Sequence, residues 1–211
     1  PSWQRLIIML GGVTVNFILA IIIYIGLAYS YGSSSIPLNS ISGGYLIDNP
    51  ILLESGFKTG DKILSFDGND LRTYSELRKS IISASTYEVD RDGERLQISL
   101  PNDFLGKLSS SDNTSLFELR KPFIIQSISE ESLNKDYDIR QGDIIASLNG
   151  EEVKYFDQLV PLLEKNKSRT VEVVLLRDSF KIQKTLNVNE DGKLGFMSGA
   201  KINDMIDLGY L

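Results

Sequence analysis

Residues 60–77, GDKILSFDGNDLRTYSEL, and residues 142–159, GDIIASLNGEEVKYFDQL, are two copies of one pattern at an offset of 82. Gly60/Gly142, Asp61/Asp143, Ile63/Ile145, Ser65/Ser147, Gly68/Gly150 and Leu77/Leu159 are identical, and Phe66/Leu148, Leu71/Val153 and Tyr74/Phe156 are alike. A repeat of this kind predicts two copies of one small folding unit. Within each copy a strand with apolar residues on both faces leads to a turn dipeptide, Asp67-Gly68 or Asn149-Gly150, where glycine takes a positive φ without a Cβ clash. A helix follows, with apolar residues at helical spacing: Tyr74, Leu77 and Ile81 in the first copy, and Phe156, Leu159, Leu162 and Leu163 in the second.

The pattern extends on both sides. Downstream, each copy ends in a hairpin, turning at Arg91-Asp92-Gly93 or at Arg177-Asp178-Ser179, with alternating apolar residues such as Leu96, Ile98 and Leu100 on the return. Upstream, a short strand opens each copy (Tyr45 to Ile47; Phe123 to Ile128), and a loop with a small helix connects it to the Gly-Asp pair. The Ser-, Asn- and Asp-rich stretch 101–115 is the natural boundary. Each unit is expected to be a small, partly open β-barrel capped by helices.

Ahead of the repeats, no charged residue occurs from Leu6 to Ile47, and the strongly apolar part, Leu6 to Tyr31, has 26 residues. At the α-helical rise that is about 39 Å, longer than the ~30 Å hydrocarbon core of a bilayer. Trp3 and Arg5 at one end, and Tyr24, Tyr29 and Tyr31 toward the other, suit the two interfaces. The run is too long for a signal peptide and shows no small-residue cleavage site. Arg5 precedes the helix, and the first basic residue after it is Lys58, so the charge bias favours a cytoplasmic start and an external remainder. The fold class is therefore membrane-anchored α+β. The expected division is a transmembrane helix over 1–31, a linker over 32–42, a first unit over 43–103, a linker over 104–117, a second unit over 118–196 and the start of a membrane-proximal segment over 197–211.

Composition removes several chemistries. The 211 residues contain no cysteine and no histidine and carry a net charge of −6. Disulfides, thiolate metal sites, a His-x-x-x-His zinc site and a Ser-His-Asp triad are all excluded from these residues alone. No Lys/Arg block is present, which argues against nucleic acid as a partner. Glu130-Glu131 and Glu151-Glu152 are sequence neighbours whose side chains diverge, so they are expected to be solvated. One polar feature of the apolar run stands out: GGVTVNF, residues 11–17, places an asparagine amide in a membrane-length segment. In hydrocarbon an amide without a partner costs free energy, so Asn16 is expected to face protein or a cavity. Gly12, one turn earlier on the same helix face, lets a neighbour approach closely.

The string Gly-Asp-x-Ile-x-x-x-(Asp/Asn)-Gly followed by a helix resembles the signature of bacterial PDZ domains, and here it occurs twice. PDZ domains bind an extended peptide, often a C-terminus, as an added strand. The resemblance implies a first groove between Tyr45, Leu46 and Ile47 and the helix carrying Tyr74, Leu77 and Ile81. Gly43 and Gly44 would offer backbone N–H groups to a terminal carboxylate. In the second copy Pro122 lacks an N–H at the equivalent place.

A Gly-x-x-x-Asn-Phe transmembrane helix followed by two such units resembles the RseP-type site-2 proteases of bacteria, over essentially the whole chain. That resemblance implies a zinc metalloprotease of the bacterial inner membrane that cuts substrate helices, with its PDZ units in the periplasm and Gly12 and Asn16 beside the active site, Asn16 holding the substrate backbone. Its partners would be transmembrane protein or peptide substrates, of anti-sigma-factor or signal-peptide type, and the lipid bilayer. The family's His-Glu-x-x-His and Leu-Asp-Gly motifs are not in these residues. They are therefore expected to be an internal fragment, with no catalytic residue and no metal ligand of its own, whose parent carries the zinc. An HtrA-type serine protease fragment and a membrane-tethered PDZ adaptor without enzymatic activity are the alternatives.

Overall fold

A computed structural model describes residues 2–31 and 35–211, with side chains at residue 3 and at 10–30 of the first helix; residues 32–34, within the expected polar exit from the membrane, lie outside the described residues. The chain divides into two units, 1–36 and 37–211. The first is helix α1, Ser2–Tyr31. Its stretch Leu10–Ser30 is the one helix, among the described residues, long and apolar enough to cross a bilayer, and none of it is buried by protein. Gly12 and Asn16 are both exposed on it.

The second unit contains both repeats, each built in the same order. The first module has β1 (Tyr45–Leu46), α2 (Pro50–Glu54), β2 (Lys62–Phe66), β3 (Asn69–Asp70), α3 (Tyr74–Ser80), β4 (Thr86–Arg91), β5 (Glu94–Ser99), α4 (Phe104–Ser109) and β6 (Glu118–Leu119). The second has β7 (Ile125–Ile128), β8 (Ile144–Leu148), β9 (Glu151–Glu152), α5 (Phe156–Lys165), β10 (Thr170–Arg177), β11 (Phe180–Asn187) and β12 (Phe196–Ser198), and α6 (Ile202–Asp207) follows it. Two antiparallel four-stranded sheets result, ordered β3-β2-β4-β5 and β9-β8-β10-β11. Each module also has a two-stranded pair, β1 with β6 and β7 with β12, in which a late strand returns to the opening one.

Local chemistry explains the elements. Asn49 caps α2 by accepting from the Ile51 N–H, with Pro50 in the first turn. Thr73 caps α3 by accepting from the Glu76 N–H, while the Glu76 carboxylate reaches back to the Arg72 N–H. The signature turns take the left-handed region as expected, Asp67-Gly68 at φ 45° and 77° and Asn149-Gly150 at 49° and 85°. The Gly-Asp pair serves a structural clamp. Asp61 is 1% exposed and its carboxylate accepts from both Nε and Nη2 of Arg91 at 2.7 and 2.8 Å and from the Lys58 N–H. Asp143, also 1% exposed, does the same with Arg177, 2.8 Å in both contacts, and with the Arg140 N–H. Each clamp ties the turn before the sheet to the tip of the hairpin.

The structure departs from the sequence reading in three places. No helix precedes Gly142: the buried side chains of Ser132 and Asn134 pull the backbone into turns, Asn134 donating to the carbonyls of Asn187 and Leu194 and accepting from the Asn187 N–H. Short polar side chains compete with helical hydrogen bonds in this way. The expected linker 104–117 contains α4, which packs on α2 and buries Phe104. Glu118 and Leu119, read as the start of the second unit, pair with β1 and so belong to the first module; β12 likewise extends the second module to Ser198.

The two cores differ in kind. The first is aromatic, with Phe57, Tyr87 and Phe117 in mutual edge contact at 5.4–5.8 Å between ring centroids and Tyr45 beside them. The second is mostly aliphatic, from Ile125, Ile145, Leu148, Leu159, Val171, Val173, Leu175 and Leu186.

Candidate functional site

The opening strand does not supply the groove edge that the sequence suggested. The Tyr45 N–H donates to the Asp61 carbonyl at 3.0 Å, and the Gly60 N–H donates to the Tyr45 carbonyl at 2.8 Å. On its other side β1 pairs with β6, Tyr45 opposite Leu119 and Leu46 opposite Glu118. Both edges of β1 are taken, so no peptide can add there. Tyr45 and Ile47 are buried, and Leu77 is fully buried in the core.

Gly43 and Gly44 have packing roles instead. Gly44 has φ +66°, and a Cβ on it would run into the Gly60 carbonyl. A Cβ on Gly43 would overlap the Tyr155 hydroxyl of the second module. The Gly43 carbonyl accepts from Arg120 at 3.0 Å. The Arg120 guanidinium also makes a two-point pair with Asp157, 3.1 and 2.6 Å, and lies 4.1 Å above the Tyr155 ring. This node holds the two modules together.

The cleft lies one strand further out, between α3 and the segment that leads into β6. It has a volume of about 580 Å³, and Tyr74, Arg78 and Ile81 form one wall. These three are at i, i+4 and i+7 and so share a face of α3. Thr114 to Leu119 form the floor, with Lys121 at one side, and Ala200, Ile202 and Met205 close it from the far end of the second module. Strand alternation points the backbone of Glu118 toward Leu46 and turns that of Leu119 away from β1, whereas Phe117, just before the strand, has φ +47° and is not extended. The Phe117 carbonyl accepts from the Tyr74 hydroxyl at 3.0 Å. Burial raises the pKa of Tyr74, so its phenol stays protonated and donating at neutral pH. With Arg78 and Lys121 against Glu118, the charged lining has net positive sign.

Of the sequence-derived site residues, the structure brings Tyr74 and Ile81 together in this cleft and leaves Gly43, Gly44, Tyr45, Leu46, Ile47 and Leu77 behind it. Arg78, Lys121 and the floor residues were missed. Arg78 was legible, one turn beyond Tyr74 and next to the apolar positions, whereas the floor depends on a pairing between residues more than 70 apart. On α1, Gly12 and Asn16 are one turn apart on an exposed face, with nothing within 4 Å of a Cβ built on Gly12.

A zinc site does not fit the residues present. Among the described residues no three carboxylates converge where they could hold a metal ion, and imidazole and thiolate donors are missing from the sequence. No chemical step is derived through zinc for these residues.

Among known proteins, the regulator of sigma-W protease RasP of Bacillus subtilis is 34% identical over 104 residues, 47% of this chain and 24% of its own length. Metalloprotease MmpA of Caulobacter vibrioides is 28% identical over 102 residues, 46% of this chain and 25% of its length. Zinc metalloprotease RasP of Bacillus licheniformis is 32% identical over 79 residues, 37% and 18% respectively. The chain thus spans about a quarter or less of the length of the curated relatives it matches. Of solved structures, the PDZ domain of the SdrC-like protein of Listeria monocytogenes covers 43% of this chain and 97% of its own, at 14% identity and a TM-score of 0.32, an overlap too loose to define the fold. A family model described as Peptidase family M50 matches residues 1–189, nine-tenths of the sequence, and the chain belongs to that family.

Proposed function

We propose that this chain is the substrate-admitting portion of a zinc metalloprotease that cuts transmembrane substrates within the bilayer, of the anti-sigma-factor or signal-peptide kind. In this reading α1 spans the inner membrane beside the catalytic centre of the parent enzyme. The two modules are PDZ domains on the periplasmic side, and the zinc ligands belong to other parts of the parent. The observation that carries the reading is the M50 match over a membrane-length helix with Gly12 and Asn16 one turn apart. Membership of a metallopeptidase family also favours this reading over the serine-protease and adaptor alternatives.

The Asn16 amide has one acceptor and two donors. In a site without water it pairs with the main chain of a substrate helix that has unwound for cleavage, while Gly12 lets that chain come close. Replacing Asn16 by leucine in the intact parent, at equal expression, is expected to reduce cleavage of a helical substrate by at least tenfold. Undiminished cleavage would sink this role.

The first-module cleft is the proposed binding site for a substrate's exposed, previously trimmed tail. An extended peptide can lie beside the outward backbone of Leu119. Its apolar side chain would rest on Ile81 and its terminal carboxylate near Arg78 and Lys121. Support comes from the place of Leu119 in the lining, the positive charge balance and a volume suited to a few residues. Peptides with a free apolar C-terminus should bind the 211-residue chain in detergent micelles, and their C-terminal amides should bind at least tenfold more weakly. Equal binding of acid and amide would remove the carboxylate from the account.

A further inference from the structure

One wall of the cleft comes from a segment that the first module does not own. Helix α6 follows the second module, yet Met205 and Ile202 line the first module's cleft opposite α3. Met205 is 1% exposed, whereas Ile202 and Ile206 on the same helix are 49% and 52% exposed. Beyond α6 the chain turns back on itself, the Tyr210 N–H donating to the Met205 carbonyl at 2.8 Å. The Tyr210 ring then meets the Tyr155 ring edge-on at 5.6 Å, with the Lys154 ammonium 5.7 Å from its centre. Met205 is the one buried side chain of residues 201–211, and the Tyr210 ring packs on the second module.

A six-residue helix has no stability of its own, because nucleation costs more than so few hydrogen bonds return. It is ordered only where it is seated, and one of its six residues, Met205, is buried there. The second module shows the contrast: Phe156, Val160 and Met197, on its helix and closing strand, stay 42%, 42% and 65% exposed. Among the described residues its corresponding face has no such cover.

We infer that α6 is a displaceable cover of the first-module cleft, so that docking of Met205 and Tyr210 and entry of a peptide compete. The inference rests on the reading of that cleft as a peptide site. A peptide that enters along β6 needs the space above Ile81 and Leu119 that Met205 closes. Occupancy then releases α6, and release of α6 favours occupancy to the same degree, because binding linkage is reciprocal. The segment after the second module thereby reports what the first module holds.

The test uses the whole 211-residue chain in detergent micelles and a fluorescein-labelled hexapeptide with an apolar residue and free carboxylate at its C-terminus. Anisotropy gives the affinity, and hydrogen exchange follows the amides of 202–211. The expected result is faster exchange at 202–211 on peptide addition, together with about five- to tenfold tighter binding by Met205→Ala and by Tyr210→Ala, as loss of a competing closed state requires. Peptide binding that leaves exchange at 202–211 unchanged or slower, with both variants binding more weakly, would make α6 a fixed wall and overturn the cover, while the peptide site would stand. If neither the wild-type chain nor either variant binds the peptide, the site itself is refuted, and the cover with it.

Discussion

The two modules share a plan and differ at one edge. Both use a buried aspartate clamped by a hairpin arginine, the same sheet order, and a late strand returning to the first. In the first module the residue just before the returning strand sets an aromatic ring in the core: Phe117 is 1% exposed and touches Phe57, Tyr87 and Tyr45. In the second, Phe196 is only half-buried at the margin of an aliphatic core, and Met197 beside it is exposed. The first edge is thus locked and roofed, and the second is open. The clamp keeps the frame constant while the edge is free to diverge, and the edge is where a ligand would be met.

This contrast breaks most easily at the returning strands. Phe117→Ala should cost about 3–5 kcal/mol, the usual range for truncating a buried phenylalanine, and should release β6 from β1. Phe196→Ala should cost about 1 kcal/mol, because less of the ring leaves water on folding. Urea unfolding of both variants, with hydrogen exchange resolved by module, measures the difference. Equal losses would mean that the two edges are equally well anchored.

The clamps should instead prove equivalent. Arg91→Met and Arg177→Met each strand a buried aspartate, which ranks among the costlier single changes. Each should lower the melting midpoint of its own module by about 10 °C. Arg177 also reaches Asp138 at 3.2 Å, but that carboxylate is 54% exposed, so the extra pair adds little. A distinctly larger effect at Arg177 would show that Asp138 matters more than its exposure suggests. Acid gives a second reading of the same clamp. Burial pushes the Asp143 carboxyl up, but hydrogen bonds from Arg177 and the Arg140 N–H outweigh it, leaving the pKa below its ordinary value. A depressed folded pKa gives stability that is complete above the unfolded value of about 3.9 and is lost as pH falls through the lower folded value. Asp143→Asn should therefore flatten the pH dependence of second-module stability below about pH 4.

The clamps and turns were legible because their parts are local or repeated. Gly60-Asp61 and Arg91-Asp92-Gly93 recur as Gly142-Asp143 and Arg177-Asp178-Ser179, and glycine, aspartate or asparagine marks each positive φ at the signature turn. The returning strands were not legible. Glu118–Leu119 and Phe196–Ser198 are two and three residues long, share no pattern, and pair with partners more than 65 residues earlier, where neither periodicity nor turn chemistry gives a signal. Missing them placed Tyr45 at an open edge, whereas it is buried in a strand paired on both sides, and read Gly43 and Gly44 without the close packing they make. Tyr74 and Ile81 do share one face and line one cleft, because a helix face is set by spacing alone.

Between the modules, Arg120 should be worth about 2 kcal/mol of coupling, the scale of hydrogen bonds between charged groups that are largely shielded from water. Arg120→Lys keeps the charge but loses the two-point fit to Asp157. It should loosen the modules relative to each other, seen as faster exchange around Gly43 and Tyr155, with the clamps and both cores unaffected.

The smallest expected change is also the most revealing about that junction. The hydroxyls of Tyr155, at the node, and of Tyr45, in the first-module core, are buried without a hydrogen-bond partner among the described residues. A buried hydroxyl left unpaired costs free energy, so its removal should be neutral or stabilising, by up to about 1 kcal/mol. Tyr155→Phe keeps the ring under Arg120 and against Tyr210 while removing the oxygen that abuts Gly43. Unfolding of Tyr155→Phe and Tyr45→Phe at equal ionic strength decides the matter. A loss above about 1 kcal/mol in either would mean that its hydroxyl finds a partner in solution, such as an ordered water, and at Tyr155 that the junction is wetter than its packing suggests.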